Sequence, residues 1–178
     1  MNHADHVRLL RKGVSPGSGA WADFGSGSGA FTLALAELLG PGAVIHSVDK
    51  DAGALARQQR SMARDFPEVT LRTYAADFTQ PLDLPPLEGL VVANALHFQR
   101  HKDPAVTRLM SYLRPGASFL VVEYATDRGN HWVPYPFSFN SWRTIARRCG
   151  LQNTELLAQA SSSFLGGFYC ARSLTKTA

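Results

Sequence analysis

At 178 residues the chain has room for one core of roughly 100–200 residues and little for a second. Hydrophobic residues make up 45% of it and charged ones 18%, which excludes a disordered chain, and no apolar stretch is long enough to cross a bilayer. A net charge of +4 keeps a nucleic-acid partner in question, while the polar start (His3, Asp5, His6, Arg8, Arg11) lacks the apolar core of a signal peptide, so a cytoplasmic location is expected.

The pattern predicts a helix over 5–12 and a strand over 20–24, and that strand runs into the most informative segment of the chain, Asp23-Phe-Gly-Ser-Gly-Ser-Gly29. Three alternating glycines break the strand and open a helix over 30–39 that carries Phe31, Leu35 and Leu38 on one side. Without a Cβ, Gly25, Gly27 and Gly29 can take positive φ and let main-chain N–H groups, that of Ser26 included, approach a bound molecule. The helix points its positive end the same way, so a nucleotide-like cofactor is implied. Gly25, Gly27 and Ala30 also fit the dinucleotide fingerprint, and the turn alone does not separate NAD from S-adenosylmethionine.

Gly40-Pro-Gly42 stops the helix, and a strand over 43–48 ends on Asp49-Lys50-Asp51, where a carboxylate can accept both ribose hydroxyls. A helix over 52–64 and a strand over 69–75 deliver Ala76-Asp77-Phe78. That pair suits an adenine ring: the carboxylate takes the exocyclic amine and the aromatic covers a face. Beyond a proline-rich stretch (80–86) come a strand over 89–94, a helix over 104–113 with Asp103 as its cap and Pro104 in its first turn, and a strand over 118–124. Such alternation demands a mainly parallel sheet with right-handed crossovers. After Asn140 a helix runs to Cys149. Strands over 151–160 and 164–172, joined by Ser161-Ser-Ser163, then form an antiparallel pair, and 173–178 is expected to fray. Cys149 and Cys170 read as reduced, structural thiols.

These motifs together resemble the class I (Rossmann-like) S-adenosylmethionine-dependent methyltransferases, from about Leu9 to the C-terminus. The family's acid followed by G-x-G-x-G is matched by Asp23 to Gly29, its acidic second-strand end by Asp49, its adenine-binding acid by Asp77, and its segment after strand four by Asn94-Ala-Leu-His-Phe98. Leu113-Arg-Pro-Gly-Ala-Ser-Phe-Leu-Val-Val-Glu123 is a further family-like phrase, joining a helix to strand five through a Pro-Gly turn. The resemblance implies a single α/β domain over 1–178, a mainly parallel seven-stranded sheet with a C-terminal antiparallel hairpin, and S-adenosylmethionine as cofactor, leaving as S-adenosylhomocysteine. Its cofactor contacts would be Asp23, Gly25, Ser26, Gly27, Gly29, Asp49, Lys50, Asp77, Phe78, Asn94 and Ala95.

Methyl transfer asks the protein mainly to position donor and acceptor and to remove a proton where the acceptor has one. His97, just beyond the strand that carries Asn94, is the expected base; the plain alternative is a loop histidine packing beside the cofactor. His101 lacks a third ligand nearby, so no metal is expected. Between strand five and the next helix, Glu123, Tyr124, His131, Trp132, Tyr135 and Phe137 lie where acceptors bind in such folds, either as an acceptor wall or as a loop pinned to the core. A small-molecule acceptor is favoured because the basic residues are dispersed, with Arg57, Arg60 and Arg64 on one helix and Arg143, Arg147 and Arg148 on another. The strand-four segment also lacks the Pro-Pro-aromatic form of base methylation, which makes RNA the second reading. A non-catalytic cofactor-binding or partner-binding domain is the third. Oligomeric state and the accepting atom are not legible.

Overall fold

A computed structural model describes residues 1–17, 19–162 and 164–177. Their order is α1 (His3–Leu10), β1 (Ala20–Phe24), α2 (Ala30–Leu39), β2 (Val44–Asp49), α3 (Ala52–Asp65), β3 (Thr70–Ala75) and β4 (Leu87–Ala93), followed by a 3-10 turn (Leu96–Phe98). The chain continues through α4 (Asp103–Met110), β5 (Leu113–Tyr124), α5 (Phe139–Arg148), β6 (Gln152–Ala160) and β7 (Phe168–Leu174).

All strands join one seven-stranded sheet in the order β3-β2-β1-β4-β5-β7-β6. Pairings from β3 across to β5 are parallel, and β7 runs antiparallel to both β5 and β6. This is the mainly parallel sheet with an antiparallel C-terminal hairpin that the motifs imply. Strand order reverses direction between β1 and β4, and the crevice beyond their carboxyl ends is where open α/β sheets bind ligands.

Two apolar layers sandwich the sheet. On one face α1 and α2 bury Leu9, Leu10, Leu35 and Leu39 against Ile45, Val91 and Leu120; on the other, α4 and α5 bury Val106, Leu109, Trp142 and Ala146 against Leu90, Phe119 and Val121. The central strands β1, β2 and β4 are buried nearly throughout, as near-continuous apolar runs require when both faces are covered. Among the described residues no helix is long and apolar enough to cross a membrane.

Three expectations need correction. Asp103 does not cap α4: its carboxylate binds the Arg148 guanidinium of α5 through two hydrogen bonds, and the cap position falls to Lys102 without a side-chain bond. The last strand begins at Phe168 rather than Phe164, because Leu165, Gly166 and Gly167 take φ of 51°, 77° and 123°, which extended backbone does not allow. Residues 173–175 do not fray. Ser173 is buried 2.9 Å from Thr154 Oγ1, and Thr175 donates to Ala117 O and Arg114 O while accepting from Ala117 N. Ser163 of the serine turn and Ala178 of the tail lie outside the described residues.

Gly89 in β4 faces the Trp21 indole, and a Cβ built there would lie 2.4 Å from the ring. Trp21 is buried and cannot swing aside cheaply. Gly89→Ala should therefore lower unfolding free energy by about 1–3 kcal/mol in urea titrations; an unchanged midpoint would show that β1 and β4 are not packed as described.

Candidate cofactor cleft and acceptor site

The glycine turn folds back on β2. Gly25 and Ser26 both donate N–H bonds to Val48 O, at 2.8 and 3.1 Å. The three glycines serve different needs. At Gly25 (φ +74°) a Cβ would meet the Ala95 Cβ at 2.5 Å, so this glycine lets the β1 turn touch the turn after β4. At Gly27 (φ +54°) a Cβ would meet nothing within 4 Å, so the glycine is needed here for its left-handed backbone rather than for space. Gly29 (φ +93°) faces the Gln58 side chain of α3 at 2.4 Å and serves helix packing.

Asp49, at the end of β2, accepts the Gly27 N–H at 2.7 Å through Oδ2 and the Asp51 N–H at 2.9 Å through Oδ1. The carboxylate expected at ribose hydroxyls thus also fastens the turn, with a second lone pair on each oxygen still free. Ser26 is tethered through its hydroxyl, 2.6 Å from Ser47 Oγ, which also donates to Gln58 at 2.8 Å.

A cleft of about 230 Å³ opens beside this turn. Gly25, Asp49, Lys50, Asp77, Phe78, Asn94 and Ala95 line it, all of them cofactor residues in the sequence reading. Asp23, Ser26, Gly27 and Gly29 do not reach its wall. Ala76, Phe98 and Gln99 do, and were missed. Phe98 left one signal in the sequence, an aromatic directly after the Asn94-Ala-Leu-His97 phrase; it is 59% exposed, open to cover by a planar ring.

Lys50 Nζ lies 2.8 Å from Asp77 Oδ2, joining two walls of the cleft, and Thr79 gives Asp77 Oδ1 an N–H bond of 2.9 Å and a hydroxyl bond of 2.8 Å. Burial opposes ionisation of Asp77, but these donors outweigh it and hold the carboxyl below its usual range.

Two buried oxygens at the strand ends lack partners, Asp23 Oδ1 on β1 and Asn94 Oδ1 after β4. Asn94 stands at φ 51°, in the left-handed region that asparagine tolerates best among side chains. Asp23 is 1% exposed, and burial pushes its pKa up to about 7, offset in part by the 2.6 Å bond from Thr32 Oγ1 and reinforced by the Asp49 charge. An orphaned carboxylate oxygen beneath the glycine turn fits a ligand that brings positive charge and hydrogen-bond donors to this crevice.

Beyond Asn94 and Ala95 the chain turns through Leu96–Phe98 and places His97 against Glu123, the next-to-last residue of β5. Glu123 is fully buried. Its Oε2 lies 2.9 Å from His97 Nδ1, its Oε1 accepts the His97 backbone N–H at 3.1 Å, and the Tyr124 N–H approaches at 3.4 Å. Glu123, read from the sequence as an acceptor contact, lies buried against His97. Nε2, the other ring nitrogen, has no hydrogen-bond partner among the described residues and is not among their sealed orphan atoms.

Of the proposed acceptor wall, Trp132 (74% exposed), Tyr135 and His131 stand in the open, with Asn130 Oδ1 accepting from the Trp132 and Val133 N–H groups to shape the loop. Tyr135 donates its backbone N–H to His97 O at 3.1 Å, so this crossover is fastened at the histidine. Phe137 is buried against Trp142 beneath the Lys102 ammonium and belongs to the core, the plain alternative for that residue.

A family model described as a methyltransferase domain matches residues 22–119, more than half of the chain. The chain belongs to this family, the class I S-adenosylmethionine-dependent methyltransferases, and its cofactor is S-adenosylmethionine. No curated protein matches it in sequence. Among solved structures, a SAM-dependent methyltransferase from Aquifex aeolicus is similar over 96% of this chain and 89% of its own, at 13% identity and TM-score 0.73. The N-methyltransferase NodS from Bradyrhizobium japonicum WM9 in complex with S-adenosyl-L-homocysteine is similar over 97% and 85%, at 20% identity and TM-score 0.73. The magnesium protoporphyrin IX methyltransferase ChlM from Synechocystis PCC 6803 with bound SAM is similar over 97% and 77%, at 15% identity and TM-score 0.69. At these identities the likeness concerns the fold.

The raised pKa of Asp23 has a thermodynamic signature. Because the folded pKa, about 7, exceeds the unfolded one, the neutral carboxyl is favoured in the fold; its contribution is whole below about pH 4 and is lost as pH rises through 7. Urea unfolding of the ligand-free protein should show Asp23→Asn gaining on the parent between pH 4 and 8. A difference independent of pH would contradict a buried, orphaned Asp23.

Proposed function

We propose that this methyltransferase acts on a small molecule whose accepting atom gives up a proton, with His97 as the base and Glu123 as the residue that positions it. The observation that carries this reading is the 2.9 Å contact between His97 Nδ1 and the buried Glu123 carboxylate, in the turn between the cleft-wall residues Ala95 and Phe98. A carboxylate accepts only, so it fixes the Nδ1–H tautomer and leaves the Nε2 lone pair to take a proton. An imidazolium formed there would have Glu123 as its buried counter-charge.

The cofactor supplies a sulfonium-bound methyl group: as the acceptor's electron pair forms a bond to that carbon, the carbon–sulfur bond breaks onto sulfur and S-adenosylhomocysteine remains. This chain's part is to hold the two molecules. Asp49 takes ribose hydroxyls, Asp77 and Phe78 take the adenine, Phe98 covers its exposed face, and Gly25 admits the ligand to the backbone, while Asp23 lies buried behind the turn. Asn94, Ala95 and Lys50 complete the wall.

Two features support a small acceptor over RNA. Arg57, Arg64, Arg114, Arg148 and Arg172 each face a carboxylate, which reduces the free positive charge that phosphate contacts need. Phe98, Trp132 and Tyr135, the large exposed side chains of the turn that carries His97 and of the crossover fastened to it, are aromatic. We take 1–178 as one catalytic unit, and its free thiols Cys149 and Cys170 suit a reducing, cytoplasmic setting.

Calorimetry should show binding of S-adenosylhomocysteine and none of NAD. Asp49→Ala should weaken that binding at least about tenfold, since a bond to a charged acceptor is worth about 1.5–3 kcal/mol. Unchanged affinity in a folded variant would remove Asp49 from the ribose. His97→Ala should lower turnover by about 10²–10⁴-fold, measured as tritiated methyl transfer to a metabolite pool, while S-adenosylhomocysteine affinity stays within twofold (~) of the parent. A small effect on turnover would make His97 a packing residue.

A further inference from the structure

The open aromatic side chains of the described residues gather at one rim. Large exposed apolar residues are Met1, Leu156, Phe98, Trp132, Tyr135 and Phe164, and the four aromatic ones come from three segments that meet at the carboxyl end of the parallel strands. Phe98 comes from the turn after β4, Trp132 and Tyr135 from the β5–α5 crossover, and Phe164 from the β6–β7 loop. Sequence reading had placed Phe164 in a strand. The loop carries it outward instead, and a Cβ on Gly167 would strike Ala160 O at 2.6 Å, so this path needs its glycine.

Within that rim the rings form a run that starts at the base. His97 and Tyr124 meet edge to face with centroids 5.8 Å apart, Tyr124 and Phe164 meet edge to face at 5.6 Å, and Phe168 backs Tyr124 at 4.5 Å. Phe164 remains 41% exposed at the outer end. The polar atoms of the run are His97 Nε2 and the Tyr124 hydroxyl, and the latter has no hydrogen-bond partner among the described residues. Burial and the Glu123 charge push the Tyr124 pKa up, so the hydroxyl stays a donor at neutral pH.

Resting on the methyl-transfer reading above, we propose that the acceptor is a phenol, its ring against Tyr124 and Phe164 and its hydroxyl at His97. An apolar, aromatic face with two neutral hydrogen-bonding atoms suits an uncharged planar ring. A phenolic hydroxyl, with a pKa near 10, gives up its proton to an imidazole more readily than an aliphatic alcohol does as the new bond forms. An aliphatic amine is a cation at neutral pH and matches this apolar, uncharged face less well than a phenol. In the balanced step the O–H proton passes to His97 Nε2, an oxygen lone pair forms the O–CH3 bond, the S–CH3 bond electrons stay on sulfur, and the products are an aryl methyl ether and S-adenosylhomocysteine. His97 then releases the proton to water.

The test uses the full chain loaded with S-adenosylhomocysteine, with 2-naphthol as probe and decahydro-2-naphthol, its saturated counterpart, as control. Calorimetry should give 2-naphthol an affinity at least about tenfold above the saturated alcohol, and Phe164→Ala should weaken it roughly tenfold with S-adenosylhomocysteine binding unchanged. With S-adenosylmethionine, 2-methoxynaphthalene should form and should be lost in His97→Ala. Equal affinity for the two alcohols, or indifference to Phe164→Ala, overturns the phenol assignment while leaving the methyltransferase reading intact. Failure of S-adenosylhomocysteine itself to bind overturns both.

Discussion

Everything at the working end of this protein leans on the burial of one carboxylate. Glu123 sits on β5 with no exposed surface and is held by the His97 side chain, the His97 backbone and the Tyr124 N–H. Leaving a buried acceptor without its donor typically costs about 1–3 kcal/mol, and more for a charged group, so the turn after β4 is fixed with an energy that is a sizeable share of a domain's stability. That turn carries the cleft wall on one side (Asn94, Ala95, Phe98) and the histidine on the other. The crossover loop is pinned to it through Tyr135. The cleft wall at Asn94, Ala95 and Phe98 and the histidine are thus held in place by one residue.

In the ligand-free protein the cleft is satisfied by its own groups where it can be. Asp49 fastens Gly27, and Asp77 holds Lys50 and Thr79. On the proposed reading, cofactor binding would add contacts to carboxylates that are already oriented, which lowers the ordering cost of association. Asp23 is the exception, buried with one oxygen unpaired, and the unrelieved cost of that oxygen is a reserve that a cationic ligand group can draw on. Lys102, 8% exposed, shows how the same region handles positive charge: its ammonium donates to Gln99 O and lies 4.9 Å from the centre of the Phe137 ring, while burial lowers its pKa against the pull of Glu123.

The sheet was legible because its signals are local. β1 and α2 fall where the pattern puts them, since a buried apolar run, three glycines and a helical stripe each act over a few residues. Asp49, Asp77 and Asn94 follow from standing at strand ends. The errors lie where distant segments compete for a side chain: Asp103 is drawn from its helix end to Arg148, 45 residues on, and Thr175 is tied to the start of β5. The Glu123–His97 contact was not legible, because their spacing carries no pattern and the contact exists only once β4 and β5 lie side by side. Phe98 and Phe164 were missed for the same reason, their exposure being set by loops rather than by periodicity.

The central claim is that Glu123 fixes His97 as the Nδ1–H tautomer and leaves Nε2 free to accept a proton. Nitrogen-15 NMR of histidine-labelled protein, loaded with S-adenosylhomocysteine at pH 8 and assigned through His97→Gln, reads this directly without any acceptor being known. The account predicts a proton on Nδ1 and an unprotonated Nε2 at His97, with the preference lost in Glu123→Gln. A proton on Nε2 with Nδ1 bare would contradict it, because Glu123 would then be holding a ring that cannot serve as the base.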